Sequence, residues 1–211
     1  MALATLADLR SAVLGLRTDM TARFASEILP LAEQRIFYGD GPIAPLRVLP
    51  MEASDELTFT DGAAELPADF LDKRAVYWSG AGGQVSSLAY EPPSTFYQQD
   101  YARRGGSFPL AYTVEGNTIK LSPGLTGDAT LLYYARPDAM EEDTDTNVIL
   151  AKWPGVYLFS CQIDLYRLLR NDGELQKVRQ FYADAVAAAN RQTLIARSFG
   201  GPLKKKVGFA I

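Results

Sequence analysis

The sequence contains no histidine and a single cysteine, Cys161. The first absence removes the Ser-His-Asp and Cys-His nucleophile systems, histidine general bases and histidine metal ligands. Any catalysis would have to rest on carboxylate, lysine or tyrosine groups. The second excludes an intrachain disulfide and allows a reducing compartment. Cys161 lies amid Tyr157, Phe159 and Ile163 in a helical pattern, which reads as a buried small hydrophobe and not a reactive thiol. No apolar run reaches the roughly 18 residues of a membrane span, so none is expected. The opening stretch, MALATLADLRSAVLGLR, has no basic n-region and carries Asp8 and Arg10 inside its apolar pattern. It does not read as a signal peptide.

What is present is close to the soluble globular average: 47% of residues are hydrophobic and 22% charged. A chain of 211 residues makes one domain or two small ones and can bury a real core. The net charge of −4 says little alone, but its distribution is uneven. Residues 1–150 hold 11 Lys and Arg against 21 Asp and Glu, a net of −10; residues 151–211 hold 10 against 4, a net of +6. This reads either as oriented contacts, such as with other copies of the chain, or as two solvated surfaces of unequal charge.

Thr5 and Asp8 form a capping-box-like helix start, with Leu6, Leu9, Val13 and Leu16 as one apolar stripe. A second helix is expected from Asp19 to about Tyr38, with Met20, Phe24, Ile28, Leu31 and Ile36 inward. Pro30 should kink it and Gly39-Asp-Gly-Pro42 should end it. From Leu46 to Ala135 the pattern changes to period two with turn punctuation. Strands are expected at Glu56–Thr60, Arg74–Ser79, Gln84–Leu88, Leu110–Glu115, Thr118–Leu121 and Asp128–Ala135, with a short helix at Pro93–Tyr101. Trp153-Pro154 opens a third long helix with proline at its favoured position. Its apolar residues cover more than one narrow stripe, which fits a bundle centre or a subunit contact. The fourth helix, Glu174 to about Arg197, has a small-residue face from Ala183 to Ala189.

The expected fold is therefore α+β: a four-helix bundle with an inserted antiparallel β-rich section and an extended C-terminal tail. Residues 1–42 and 147–198 form the bundle, 43–146 the β-rich domain and 199–211 a docking tail. Candidate subunit contacts are Trp153, Tyr157, Tyr166, Phe181 and Tyr182. The tail residues Leu203, Lys204, Lys205, Lys206, Val207, Phe209 and Ile211 run basic and then apolar, a pattern suited to a partner's groove or sheet edge.

No constellation selects a reaction. The acidic residues Asp138, Glu141, Glu142, Asp143 and Asp145 lack EF-hand spacing, and a solvated loop is the simpler reading. Ala81-Gly82-Gly83 and Arg104-Gly105-Gly106 are not followed by Gly-Lys-Ser/Thr and do not form phosphate cradles. Tyr97, Tyr101, Arg103 and Arg104 suggest nucleic-acid contact or an ordinary mobile loop, and Lys204–Lys206 suggest DNA phosphates or a solvated run. A carboxylate pair of a glycosidase is set by space and not by sequence separation. A carboxylate-dependent cell-wall hydrolase therefore stands as the alternative function. No cofactor and no metal site is expected.

Four stretches carry a family resemblance: Leu66-Pro-Ala-Asp-Phe-Leu71; Tyr112-Thr-Val-Glu-Gly-Asn-Thr-Ile-Lys-Leu121 followed by Ser122-Pro123; Leu132-Tyr-Tyr-Ala-Arg-Pro137; and Asn147-Val-Ile-Leu to Trp153-Pro154, leading to Tyr157 and the Asp164–Asn171 helix end. In order and spacing they resemble the head-to-tail adaptor (connector) proteins of tailed bacteriophages, including the tail-tubular-protein-A type. The glycine-rich Gly80–Gly83 and Gly105-Gly106 depart from the pattern. The resemblance implies a structural virion protein and no enzyme. It implies a homo-oligomeric ring, commonly of twelve copies, docked on the portal protein, with a tail or stopper/nozzle protein on the other face. DNA would pass through the channel without sequence specificity, with no membrane contact. The protein would be made in the bacterial host cytoplasm and end at the head–tail junction of the virion. The family's tails insert against the portal, which assigns Leu203–Ile211 to portal docking.

Overall fold

A computed structural model describes residues 3–15, 17–79, 85–103 and 105–198. The chain divides into two compact units, one of Met1–Pro50 with Asp138–Ile211 and one of Met51–Pro137.

The helical unit opens with α1 (Leu6–Leu14). The Thr5 side chain accepts from the Asp8 N–H and the Asp8 carboxylate accepts from the Thr5 N–H, a complete capping box. Leu6, Leu9, Val13 and Leu14 are buried. The second expected helix is not one regular rod. A 3₁₀ turn (Thr18–Met20), α2 (Thr21–Arg23), a π turn (Phe24–Ile28) and α3 (Leu29–Tyr38) follow one another. Pro30 is the physical reason: it has no N–H and its ring would strike the carbonyl one turn back. The wider π turn sits just ahead of it, with the Leu29 N–H reaching back to the Phe24 carbonyl. This extra residue moves the inward row to Phe24, Ile28, Ala32 and Ile36, all at most 1% exposed, and turns Leu31 outward at 48%. Gly39 ends α3 at φ 86°, and a Cβ there would meet the Ile43 carbonyl at 2.8 Å.

The chain returns to the helical unit through α5 (Val148–Lys152), capped by Asn147, whose Oδ1 accepts from the Ile149 and Leu150 N–H groups. After a break at Trp153 come α6 (Pro154–Leu168) and α7 (Asp172–Ser198). α6 packs against α1, α3, α5 and α7.

In the second unit, β1 (Glu52–Phe59), β8 (Gly127–Ala135), β3 (Phe70–Ser79) and β4 (Val85–Ser87) form one antiparallel sheet in that order. The other sheet runs β2 (Ala63–Glu65), β7 (Thr118–Ser122), β6 (Ala111–Glu115) and β5 (Ala89–Tyr90), with β5 parallel to β6. Both sheets bury their alternate residues in one core, Leu57, Phe59, Val76, Trp78 and Leu131 from the first and Tyr112, Ile119 and Leu121 from the second. A further helix, α4 (Pro93–Arg103), belongs to this unit.

These facts correct the expected four-helix bundle with one inserted antiparallel section. The strands form two four-stranded sheets with one parallel pair, so the β part is no small insert. Helices beyond four arise because Asn147 caps an extra short helix, α4 lies among the strands, and the second helix is interrupted by the π turn. The expected tail, residues 199–211, lies outside the described residues, as do Gly80–Gln84 and Arg104.

One buried ion pair joins α3 to α6. Arg35 is 6% exposed and Asp164 3%. The guanidinium donates two parallel bonds to the carboxylate, at 2.9 and 2.8 Å, and further bonds to the Ser160 carbonyl and hydroxyl at 3.0 and 3.1 Å. Ser160 in turn donates to the Ala32 carbonyl at 3.1 Å. Arg35 Nε lies 3.4 Å from Asp40, which accepts from Arg179 of α7 at 2.9 Å. Burial opposes the Arg35 charge, but the Asp164 and Asp40 carboxylates outweigh it and push its pKa up. Asp164→Ala should therefore lower the unfolding free energy by about 3–5 kcal/mol, because it leaves a buried cation without its main partner. Asp164→Leu combined with Arg35→Met should recover most of that loss. Urea unfolding followed by circular dichroism checks both, and an Asp164→Ala protein as stable as the parent would refute the ranking.

Candidate assembly interface

The groups with potential chemistry are committed to local structure. In the acidic loop, Arg10 holds Asp143 by two bonds of 2.6 and 2.7 Å, and Asp145 accepts from the Glu141 and Glu142 N–H groups at 3.0 and 2.8 Å. Both carboxyls are held below the usual carboxylate range, Asp143 by Arg10 and Asp145 by those N–H groups. The Asp143 and Asp145 carbonyls accept from the Ala7 and Leu6 N–H groups, so the loop finishes the first turn of α1. Among the described residues no three Cys, His, Asp or Glu side chains converge as a metal site. No helix there is long and apolar enough to cross a membrane.

Arg103 and Tyr97 of α4 are likewise engaged. Glu91 holds the Arg103 guanidinium by bonds of 2.9 and 2.8 Å, and Tyr97, Glu115 and Lys120 form a closed triangle at 2.9 Å. Their geometry serves to pin α4 to β6 and β7.

What the helical unit does present is apolar surface. The inner row of α7 is Val178, Tyr182, Val186, Ala189 and Thr193, all at most 6% exposed. A second row, offset around the helix, includes Phe181 at 52% and Ile195 at 48% exposure. Phe181 packs on half-buried Phe159 of α6 with ring centroids 5.6 Å apart. Trp153, also half-buried, donates its indole N–H to Gln192 at 3.0 Å. Tyr166 is half-buried on the same helix.

Three of the five expected contact residues, Trp153, Tyr166 and Phe181, thus keep surface along α6 and α7. Tyr157 and Tyr182 do not; both are fully buried, which corrects their assignment as contacts. The Tyr157 hydroxyl accepts from Asn147 at 2.8 Å and donates to Glu33 at 3.3 Å, so this side chain ties α3 to the α5 cap. Tyr182 falls on the inner row of α7. Leu31 was expected inward, and Phe159, Tyr38 and Leu168 were not named as contacts, yet all four keep surface, Tyr38 at 65% and Leu168 at 36%. The tail residues Leu203–Ile211 lie outside the described residues.

Helices that keep apolar side chains outward offer a surface suited to contact with other proteins. A family model described as SU10 adaptor protein matches residues 1–205. The chain belongs to this family of phage head-to-tail adaptors, and it is accordingly a structural adaptor protein of the virion's head–tail junction. No curated protein is significantly similar to it.

Burial pushes up the Cys161 thiol and the Tyr157 and Tyr182 hydroxyls from ordinary values of 9.0 and 10.0. The folded chain keeps these protons where the unfolded chain loses them. Their contribution to stability is complete at neutral pH and is lost as pH rises past about 9 to 10. Unfolding free energy should fall across that range, and Cys161 should react with a thiol reagent only on unfolding. Rapid labelling of the native protein at pH 8 would contradict a buried, inert thiol.

Proposed function

We propose that the chain forms a ring, commonly of twelve copies, that docks on the portal, joins capsid to tail and lets DNA pass through its channel without sequence-specific contact. The observation that carries this reading is the half-exposed aromatic and aliphatic face of α6 and α7, in a chain of an adaptor family. A closed ring needs one face of a subunit to meet a different face of the next. Trp153, Tyr166 and Phe181 lie on such a face.

Portal docking falls to Leu203, Lys204, Lys205, Lys206, Val207, Phe209 and Ile211. Their support is the pattern of three cations followed by alternating apolar residues, which suits insertion into a partner's groove. A tail or stopper/nozzle protein takes the opposite face of the ring.

Deleting Leu203–Ile211 should abolish binding to the portal of the same phage while leaving circular dichroism unchanged. Phe181→Asp should cost the monomer about 1–2 kcal/mol, through the lost contact with Phe159, and leave it folded, yet prevent ring formation. Negative-stain images with the portal read both outcomes. Full-strength portal binding by the truncated chain would refute the tail's role.

A further inference from the structure

Two helices of the helical unit carry outward rows with the same spacing. On α3 and the turn before it, Glu27, Leu31, Gln34 and Tyr38 follow at intervals of four, three and four. Leu31 and Tyr38 in this row are 48% and 65% exposed. On α7, Phe181, Ala185, Ala188, Gln192 and Ile195 follow at four, three, four and three. Alternation of four and three is the spacing by which two helices pack along a seam, the side chains of each filling gaps in the other. At 1.5 Å per residue the rows are about 16 and 21 Å long, a near match. α6 packs on both helices, and each row borders one of its flanks: Leu168 and Arg167 beside α3, Phe159 and Trp153 beside α7.

We propose that the contact between neighbouring copies is an antiparallel seam in which the α3 row of one copy packs against the α7 row of the next. The inference rests on the ring reading above and assigns its two faces. Side-chain size favours this pairing over either row meeting itself. The α3 row presents large groups at Leu31 and Tyr38, while the middle of the α7 row is small, at Ala185 and Ala188. Centred on one another and antiparallel, the rows bring Leu31 to Ala188 and Tyr38 between Phe181 and Ala185. The cleft of about 220 Å³ lined by Glu27, Ile28, Leu31, Asp164, Arg167 and Leu168 then receives Ile195 of the next copy.

Charge fixes the direction. In the antiparallel arrangement Glu27, held at 3.1 Å by Arg23 of its own chain, comes to the side of Arg191 of the next copy, and Arg167, which donates to its own Asp164 at 3.3 Å and shares a cleft with Gln34 and Tyr38, comes to the side of Asp184. A parallel arrangement would set Glu27 against Asp184 and Arg167 against Arg191, two like-charge contacts. The pairing is also heterologous, so it extends from copy to copy instead of closing as a dimer.

The test uses the double variant Leu31→Cys/Ala188→Cys and a short bismaleimide, with the protein alone and with the portal of the same phage. Cys161 is fully buried and gives no background. The expected result is a ladder of multimers from the double variant and monomer only from each single variant. Rings seen by negative stain without a ladder, or dimers from either single variant, overturn the seam and leave the ring reading standing. No species above monomer in any condition overturns both. A charge swap gives an independent measure: Glu27→Arg and Arg191→Glu should each cut ring yield about tenfold, the scale of a 1.4 kcal/mol loss, and the double swap should restore it. Equal yields from single and double swaps would overturn the pairing.

Discussion

The helical unit depends on the Arg35–Asp164 pair. Two opposite charges at the contact of α3 and α6 admit one geometry only. The guanidinium fork meets the carboxylate edge-on, and any slide of one helix along the other breaks both bonds at once. An apolar contact at the same place would tolerate such a slide at little cost. The pair is therefore better understood as fixing the register of α3 on α6 than as adding net stability, since desolvation offsets most of the attraction. Asp40 extends the constraint to α7 through Arg179, and Ser160 locks the backbone of α3 through the Ala32 carbonyl. A second polar knot, Asn147–Tyr157–Glu33, holds the α5 cap to α3 in the same way.

Fixing that register decides which side chains are left outside. Leu31 and Tyr38 lie four before and three after Arg35, next to it on α3, and fall on the flank of Arg35 that faces away from the inner row of Ile28, Ala32 and Ile36. The same logic sorts the aromatic residues of α6 and α7. Tyr157 and Tyr182 are drawn inward, one by its hydroxyl partners and the other by its place on the inner row. Phe159 and Phe181 are left to pack on each other at the surface. The outward side chains are thus held in place by a buried polar network. Changes to the face can then alter assembly without unfolding the subunit.

Local signals were legible and distant ones were not. The capping box of Thr5 and Asp8, the hairpin at Gly116-Asn117 and the start of α6 at Trp153-Pro154 are each written within a few residues, and each appears where expected. Pro30 announced an irregularity, but whether the helix would kink or widen into a π turn depends on what it packs against. That shift alone moved Leu31 from the inward row to the surface. The Arg35–Asp164 pair joins positions 129 apart, and nothing in either neighbourhood names the other. The split of the strands into two sheets, and the parallel pairing of β5 with β6, are likewise long-range choices that period-two patterning does not encode. The excess of apolar residues on α6 and α7 was visible, but which of them stay outside follows only from the packing. The family resemblance survived these errors because its motifs mark strand and helix ends, which are local.

The contrast in charge between the first and second parts of the chain does not survive folding either. Divided by structural unit, Met51–Pro137 holds 6 Lys and Arg against 11 Asp and Glu, a net of −5, and the remainder holds 15 against 14, a net of +1. The helical unit is close to neutral, so attraction between oppositely charged halves cannot drive one copy onto the next. One edge of the β unit also discourages strand addition. Its edge strand β1 exposes Ser54, Asp55 and Glu56 in succession, and such charges discourage pairing with another strand. With long-range charge weak and this sheet edge guarded, the contact proposed between copies would rest on short-range packing of the outward helix rows. In that proposal a few charges at the rim would set direction and the apolar residues between them would supply the affinity.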